Sequence, residues 1–536
     1  MKKRLKQLIL FCCTLNFLGS ISFAFADTAS NTETLLNWAE SNYPQYFPTH
    51  ETTQSITPWL FRFYPNSNVY AGVNTNENGV YVFGGPWGNV NPTYIDSLSN
   101  LLLTANNGKL TNVKSMVLGS QAFVIKTDGT VWGWGNNGFG QLGDGTKEAR
   151  STPVKVIGLT DVASVISGAN ATIALKNDGT VWAWGWNIEG DLGNGAGGLA
   201  ALKEFQYTPT QIKGLTDVAV IGQNNTISHT GFYAIKQDGT LWIWGCQANR
   251  IIDHAIVCVS SESTRLPSQI DEFSDVIDFQ SGPGNGALNS YYVLKSDGTV
   301  WAWGSNFVGQ LGDGTNSDTI LPHGITGSDR DTPEQVAGLT GVKEITVVGT
   351  LVGVKVFALK KDGTVWAWGD NTGNQLGTGM TTTTVDKPTE VSELTGIIKI
   401  SVGTFNTLAL KNDGTVWAWG WNNLYGAIGV GTGTSMDIIT PIPTPVQLVD
   451  LHDIVDIQTS TFASYALKGD GTIWGWGSGF LKTGPPRAEA KYLTPIQMCN
   501  LPGITNIIGF GPDYSSYLLR NDGTVWNGYF DLCTQL

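Results

Sequence analysis

LKNDGTVWAWG, residues 175–185, decides the architecture of this 536-residue chain. A short apolar strand, Ile173-Ala174-Leu175, runs into Asn177-Asp178-Gly179, and Asp-Gly tolerates the positive φ of a tight hairpin turn. The chain returns as Thr180-Val181-Trp182-Ala183-Trp184-Gly185. Alternation along a strand sets Trp182 and Trp184 on one face and Val181 and Ala183 on the other. Both faces are apolar, so the hairpin needs cover on both sides, which radially stacked blades supply and a lone hairpin cannot.

The unit recurs. IKTDGTVWGWG starts at Ile125, IKQDGTLWIWG at Ile235, LKSDGTVWAWG at Leu294 and LKKDGTVWAWG at Leu359. LKNDGTVWAWG returns at Leu410, LKGDGTIWGWG starts at Leu467, and a worn LRNDGTVWNG starts at Leu519. The turn aspartates Asp128, Asp178, Asp238, Asp297, Asp362, Asp413, Asp470 and Asp522 lie 50 to 65 residues apart, the signature of a repeat architecture. Seven intact WxWG sites hold Trp132, Trp134, Trp182, Trp184, Trp242, Trp244, Trp301, Trp303, Trp366, Trp368, Trp417, Trp419, Trp474 and Trp476. Each Trp can bury about 150–250 Å², or about 4–6 kcal/mol of gross transfer energy, so the fourteen are read as repeat core, ahead of a sugar-stacking role.

A Gly-rich turn follows each Trp pair, as in Asn136-Asn137-Gly138-Phe139-Gly140-Gln141-Leu142-Gly143-Asp144-Gly145-Thr146, again from Gly309 to Thr315, and more loosely from Asn374 to Gly379. Next come a Pro and a short strand, as in Thr152-Pro153-Val154-Lys155-Val156, and then Gly-Leu-Thr-Asp-Val at Gly158 to Val162 and Gly214 to Val218. Each unit thus supplies four short strands, one propeller blade. The LGDGT turns resemble calcium loops, but one Asp per loop falls short of the oxygen ligands Ca²⁺ takes.

WAWGxNxxGQLGxGT, then Pro-x-x-Val, then Gly, then an Ala-Leu-Lys-x-Asp-Gly ending, resembles the RCC1 (regulator of chromosome condensation) repeat over roughly residues 110 to 530. The resemblance implies an all-β propeller, usually of seven blades. Family repeats commonly carry Gly-x-x-His ahead of the Ala-Leu strand. Ala122, Ala171, Asn406 and Ala463 stand there in this chain, and His229 lies two residues out of register. Counting from WxWG to the next Asp-Gly gives seven repeats, with two surplus strands (Val113 to Asp128) before them and one (Thr524 to Trp526) after. The expectation is a propeller of seven or eight four-stranded blades over residues 107–536, closed by strand exchange or carrying an eighth blade.

Residues 1–26 read as a signal peptide: Lys2, Lys3, Arg4 and Lys6, an apolar stretch from Leu8 to Phe25, and a small-x-small end at Ala24-Phe25-Ala26. No later stretch is apolar for long enough to span a bilayer as a helix. Cleavage leaves 27 Lys and Arg against 44 Asp and Glu, a net charge near −17. So acidic a chain repels phosphate backbones, which argues against nucleic acid as a partner. An exported chain keeping Cys246, Cys258, Cys499 and Cys533 is expected to form two disulfides, with Cys246–Cys258 and Cys499–Cys533 favoured on proximity among three connectivities. No CxxC or neighbouring His pair suggests zinc.

Residues 27–106 lack the repeat and form a small α+β module: helical spacing from Thr34 to Ser41, then strands at Phe61 to Tyr64, Val69 to Val73 and Gly79 to Phe83. The segment resembles a short module at the front of secreted proteobacterial proteins, which implies export. Four inter-strand segments exceed what the repeat needs, Trp186–Thr208, Cys246–Leu266, Asn316–Thr332 and Trp421–Thr444, and long loops on a rigid scaffold are where binding usually resides.

The chain has five histidines, His50, His229, His254, His323 and His452, none paired at metal-ligand spacing, and no HExxH or GxSxG. No Gly-rich loop precedes a helix, so no nucleotide, cofactor or metal is expected. The expected function is non-catalytic: a protein of the bacterial periplasm, cell surface or exterior that binds a protein partner through one propeller face and the long loops. A polysaccharide-active enzyme with its site in the propeller channel is the alternative, and a surface adhesin a third. Guanine-nucleotide exchange conflicts with the expected compartment.

Overall fold

The structure, a computed structural model, describes four strands between residues 60 and 96 and most of residues 112–536. Outside the described residues lie 1–59, 197–203, 226–229, 246–250, 257–264, 284–288, 317–327, 432–439, 479–490, 500–503, 511–515 and 529–532, with shorter gaps. The signal-like segment, the helix expected from Thr34, Cys246, Cys258, His50, His229, His254 and His323 fall there.

The chain divides into two compact units, residues 1–101 and 102–536. In the first, Leu60–Phe63, Val69–Asn74, Gly79–Gly84 and Thr93–Asp96 pair in sequence order as an antiparallel sheet. The fourth strand, TYID, has no alternating apolar run to announce it.

The second unit holds eight four-stranded antiparallel sheets. Blade 1 is Val113–Leu118, Gln121–Lys126, Val131–Gly135 and Arg150–Lys155, and blade 2 is Val162–Ser167, Ala171–Lys176, Val181–Trp186 and Phe205–Gln211. The first strands of blades 3 to 8 are Val218–Asn225, Val276–Pro283, Val342–Gly349, Ile397–Val402, Ile454–Thr459 and Ile504–Phe510. Within each sheet the strands pair in sequence order, and the first strands of successive blades lie beside one another around a ring. The first strand of blade 8 lies against that of blade 1, so the ring closes at eight. The two surplus strands are the inner half of blade 1. The trailing strand Val525–Gly528 joins Cys533–Gln535 in blade 8, and no strand is exchanged.

The second-to-third hairpins repeat one design. Asp128 Oδ1 accepts from Thr130 N (2.9 Å) and Thr130 Oγ1 (2.7 Å), and Gly129, at φ +75°, donates its N–H to Lys126 O. The same clasp recurs at Asp178, Asp238, Asp297, Asp362, Asp413 and Asp470. The two faces of the third strand are covered as their apolar character requires. Val181 and Ala183 share a core with Trp242 and Trp244 of blade 3, while Trp182 and Trp184 pack into a core with Val131 and Phe123 of blade 1. Val300 with Trp368, and Val416 with Trp476, repeat the arrangement.

A candidate binding site at the channel mouth

The first strand of each blade opens on an apolar anchor and repeats it three residues later, not two. Val162 and Val165, Val218 and Ile221, Val276 and Phe279, Val342 and Ile345, Ile397 and Ile400, and Ile454 and Ile457 are all buried. A β-bulge absorbs the additional residue: pairing with the second strand shifts between Val113 and Ser115, and likewise at Val218, Val276, Val342, Ile397, Ile454 and Ile504. In blade 2 the shift falls opposite Ala163. Two successive residues per blade therefore fall between the buried anchors. Because the first strands ring the axis, these pairs line the channel mouth on the rim that carries the Asp-Gly turns.

The mouth is unequal around its circumference. Blades 8, 1 and 2 contribute Thr505, Lys114-Ser115 and Ala163-Ser164, mostly small or neutral residues. Blades 3 to 7 contribute Ala219-Val220, Ile277-Asp278, Lys343-Glu344, Ile398-Lys399 and Val455-Asp456. In that arc Val220 is 39% exposed, Ile277 and Ile398 47% and Val455 57%, and Val449, on the connection into blade 7, is 80% exposed.

Charges interleave with these aliphatic groups. Lys399 Nζ pairs with Asp456 between blades 6 and 7. Asp278 accepts from Phe279 N (2.9 Å) and Gln280 Nε2 (3.2 Å), yet burial outweighs both bonds and pushes its carboxyl above the usual range. Burial also pushes Glu344 up, against the pull of Lys343 and Lys399 and with Asp278 adding to the rise. Buried Tyr233 is pushed up by burial and then by Asp278. The connection into blade 4, Asp271-Glu272-Phe273-Ser274-Asp275-Val276-Ile277-Asp278, carries four carboxylates and no base. Phe273 and Val276 anchor it in the core while Asp271, Glu272 and Asp275 stay exposed. None of the four enters an ion pair among the described residues.

The residues singled out from sequence lie elsewhere. In six of the seven pairs the second Trp is buried: Trp134, Trp184, Trp244, Trp368, Trp419 and Trp476 are at most 2% exposed. Trp184 Nε1 donates to Gln141 O (2.6 Å) in the Gly-rich turn of blade 1, and Trp244, Trp368, Trp419 and Trp476 repeat this bond. Trp303 and the first Trp of each pair, Trp132, Trp182, Trp242, Trp301, Trp366, Trp417 and Trp474, are half-buried. Lys126 lies over the Trp132 ring and Lys360 over Trp366, with Nζ 5.6 and 5.5 Å from the ring centroids. Cys499 is paired in the backbone ladder with Ile473 of blade 7 and Cys533 with Gly528 of blade 8. Their proposed bond and that of Cys246 with Cys258 lie outside the described side chains.

The Gly-rich turns close on themselves. Asn137 Nδ2 donates to Asp144 Oδ1, Thr146 O and Glu148 O, and Asp144 also accepts from Thr146 and pairs with Arg150 at 2.7 Å. The long segments all join third to fourth strands, so they leave from the rim opposite the Asp-Gly turns, and much of each lies outside the described residues. The place of the family His needs one correction. The residue opposite the WxWG glycine is Gln121 in blade 1, not Ala122; in blades 2 to 7 it is Ala171, Gly231, Ser290, Lys355, Asn406 and Ala463. Several of these reach the next blade. Gln121 Oε1 accepts from Ser167 Oγ, Asn406 Nδ2 donates to Thr459 and Ser464, and Lys355 Nζ donates to Gly403 O (2.8 Å) and Thr404 O (3.1 Å).

Period-two alternation does not mark the channel-mouth pairs, because the first strands carry a bulge. Their visible signal was the spacing Val-x-x-Ile or Val-x-x-Val, as in DVASVI, where an unbroken strand would show Val-x-Val.

Repeated Trp-hairpin blades closed into a ring define a propeller of the regulator of chromosome condensation class. One form of the family's repeat, described as the RCC1 repeat, matches residues 128–175, 178–223, 297–349 and 362–410, and a second form matches 113–141, 161–191 and 397–426. Between residues 113 and 426 the chain carries repeats that match RCC1 repeat models. It is 26% identical over 359 residues to the mouse E3 ubiquitin-protein ligase HERC2, a match spanning 65% of this chain and 7% of the ligase. It is 25% identical to the ultraviolet-B receptor UVR8 of Arabidopsis thaliana over 67% of this chain and 75% of the receptor. Among solved structures, yeast RCC1 (Prp20) bound to Kap60 is 21% identical with a TM-score of 0.45, covering 78% of this chain and 91% of that one. Human WBSCR16 is 20% identical with a TM-score of 0.47, covering 70% and 96%.

Among the described residues no helix is long and apolar enough to cross a membrane, and no group of three or more His, Cys, Asp or Glu is placed to hold a metal.

Proposed function

We propose that this protein is an exported, non-catalytic binding protein that engages a protein partner through the channel mouth on the Asp-Gly rim. The observation that carries the reading is the one-sided arc of blades 3 to 7, where exposed Val220, Ile277, Ile398 and Val455 stand among charges at the starts of the first strands. Aliphatic groups held out of the core beside charged ones are what a specific protein interface offers, and scattered single residues are not. Export rests on the basic and apolar segment from Lys2 to Ala26. HERC2's ligase chemistry is not carried over, since the match spans 7% of that protein.

The test is site-specific photo-crosslinking of the mature chain incubated with envelope and extracellular fractions of its host. A photoreactive residue at Ile277 or Val455 should capture a discrete protein, and Ile398→Asp should abolish capture. Equal adducts from Ala163 on the neutral arc, or none from any position, would refute the proposal.

Asp278 and Glu344 also favour a second reading, a polysaccharide-active site in the channel, because a carboxyl held up by burial suits general-acid work. Release of new reducing ends from a polysaccharide panel, abolished by Glu344→Gln, supports it; no release from the unaltered protein removes it.

A further inference from the structure

We infer that the segment seated on the channel mouth is a basic stretch of protein, one that sets Lys or Arg side chains beside apolar ones. This rests on the binding reading above and names the chemistry of the partner.

Two features of the mouth converge on that occupant. The first is the set of exposed aliphatic groups Val220, Ile277, Ile398 and Val455, which a wholly polar ligand would leave in water. The second is the charge beside it. Asp271, Glu272, Asp275 and Asp278 follow one another along the connection into blade 4 without an ion-pair partner among the described residues, and Glu344 projects from the next blade. Asp278 is partly withdrawn from water and, like exposed Glu344, is held above the ordinary carboxylate range, so an arriving cation restores stabilisation that the free protein lacks. Lys343 and Lys399 belong to blades 5 and 6, and Lys399 is already engaged by Asp456. The unmet charge therefore lies on the blade 4 side, which orients a bound segment with its basic end over residues 271–278. An acidic segment meets repulsion there, and so does a nucleic acid strand.

The probe is a fluorescent twelve-residue peptide alternating Lys and Leu, titrated into the mature full-length protein, with a Glu/Leu and a Lys/Ser counterpart. The Lys/Leu peptide should bind at least about tenfold more tightly than either counterpart, and raising salt from about 0.05 to 0.5 M should weaken it. The exposed triple change Asp271→Asn, Glu272→Gln, Asp275→Asn should cost about tenfold in affinity with the thermal midpoint unchanged, whereas Lys114→Ala on the neutral arc should cost nothing. Equal binding of the Glu/Leu peptide, or an unaffected triple variant, overturns the inference. A protein crosslinked at Val455 through an acidic or neutral segment overturns it too, while leaving the binding reading intact. Binding of the Lys/Leu peptide without any crosslinked host protein supports the basic preference and counts against the binding reading.

Discussion

Lys355 shows what one substitution inside the repeat can do. It occupies the place opposite the WxWG glycine where other blades carry Gln, Ala, Gly, Ser or Asn, and it is completely buried between blades 5 and 6. Its ammonium group is held by two carbonyls of the next blade and by the field of Asp370, but burial dominates and pushes it down to about 8. The unfolded chain keeps the ordinary lysine value of 10.5. Between those two values the unfolded chain binds more protons than the folded one, so this residue's share of stability rises with pH across the window. That share amounts to about 3 kcal/mol at most. Lys355→Met should flatten the rise. Comparing urea midpoints of both proteins at pH 7 and pH 9.5 checks this, and parallel profiles would contradict it.

At the scale of the element, the two Trp residues of a third strand divide the work. Trp184 fills the gap between blades and donates into the Gly-rich turn of blade 1, where a Cβ on Gly143 would come within 2.9 Å of its Nε1. Trp182 is half-exposed near the Asp-Gly turn, with its Nε1 on Thr180 Oγ1. Trp184→Ala should cost about 3–5 kcal/mol and Trp182→Ala roughly half as much, read from denaturant midpoints. The hairpins, the four-stranded unit and the repeat family were legible in sequence because one spacing, Asp-Gly-Thr-x-Trp-x-Trp-Gly, fixes turn, strand and face together. The contrast within each Trp pair was not, since depth between blades is set by a turn belonging to the neighbouring unit. The candidate site stayed hidden for a related reason. Ile277 and Ile398 read as ordinary strand residues until the bulge shows that both they and their successors avoid the core. The eight-blade count depended on a contact between the first and last blades, which spacing along the chain does not report.

For the whole molecule, the ring of turns gives a defined response to acid. The aspartates Asp128, Asp178, Asp238, Asp297, Asp362, Asp413 and Asp470 are each held below the usual carboxylate value, first by the Thr hydroxyl two residues on and then by its amide. Their folded values lie under their unfolded ones. The stability they contribute is therefore present above the ordinary carboxylate range and is lost as pH falls through it. Asp278, Glu344 and the fully buried Asp191, pushed up by burial and then by Glu189, act in the opposite sense. The thermal midpoint should fall between pH 6 and pH 3, and Thr180→Val, Thr364→Val and Thr415→Val together should reduce that fall. An unchanged slope would show that the turns do not govern it.

The bulge repeated in every first strand has one more consequence. Most side chains of a propeller serve two blades at once, so changing one disturbs a neighbour. The pair released by each bulge is less constrained, although Lys399 still reaches Asp456 of the next blade and Ala163 packs against a core shared by blades 2 and 3. The exposed members, such as Val220, Ile277, Ile398 and Val455, are therefore the freest to vary while the packing stays as it is. The pairs form a circular address written in two-letter words, and relatives with the same ring could recognise different partners by rewriting a few of those words.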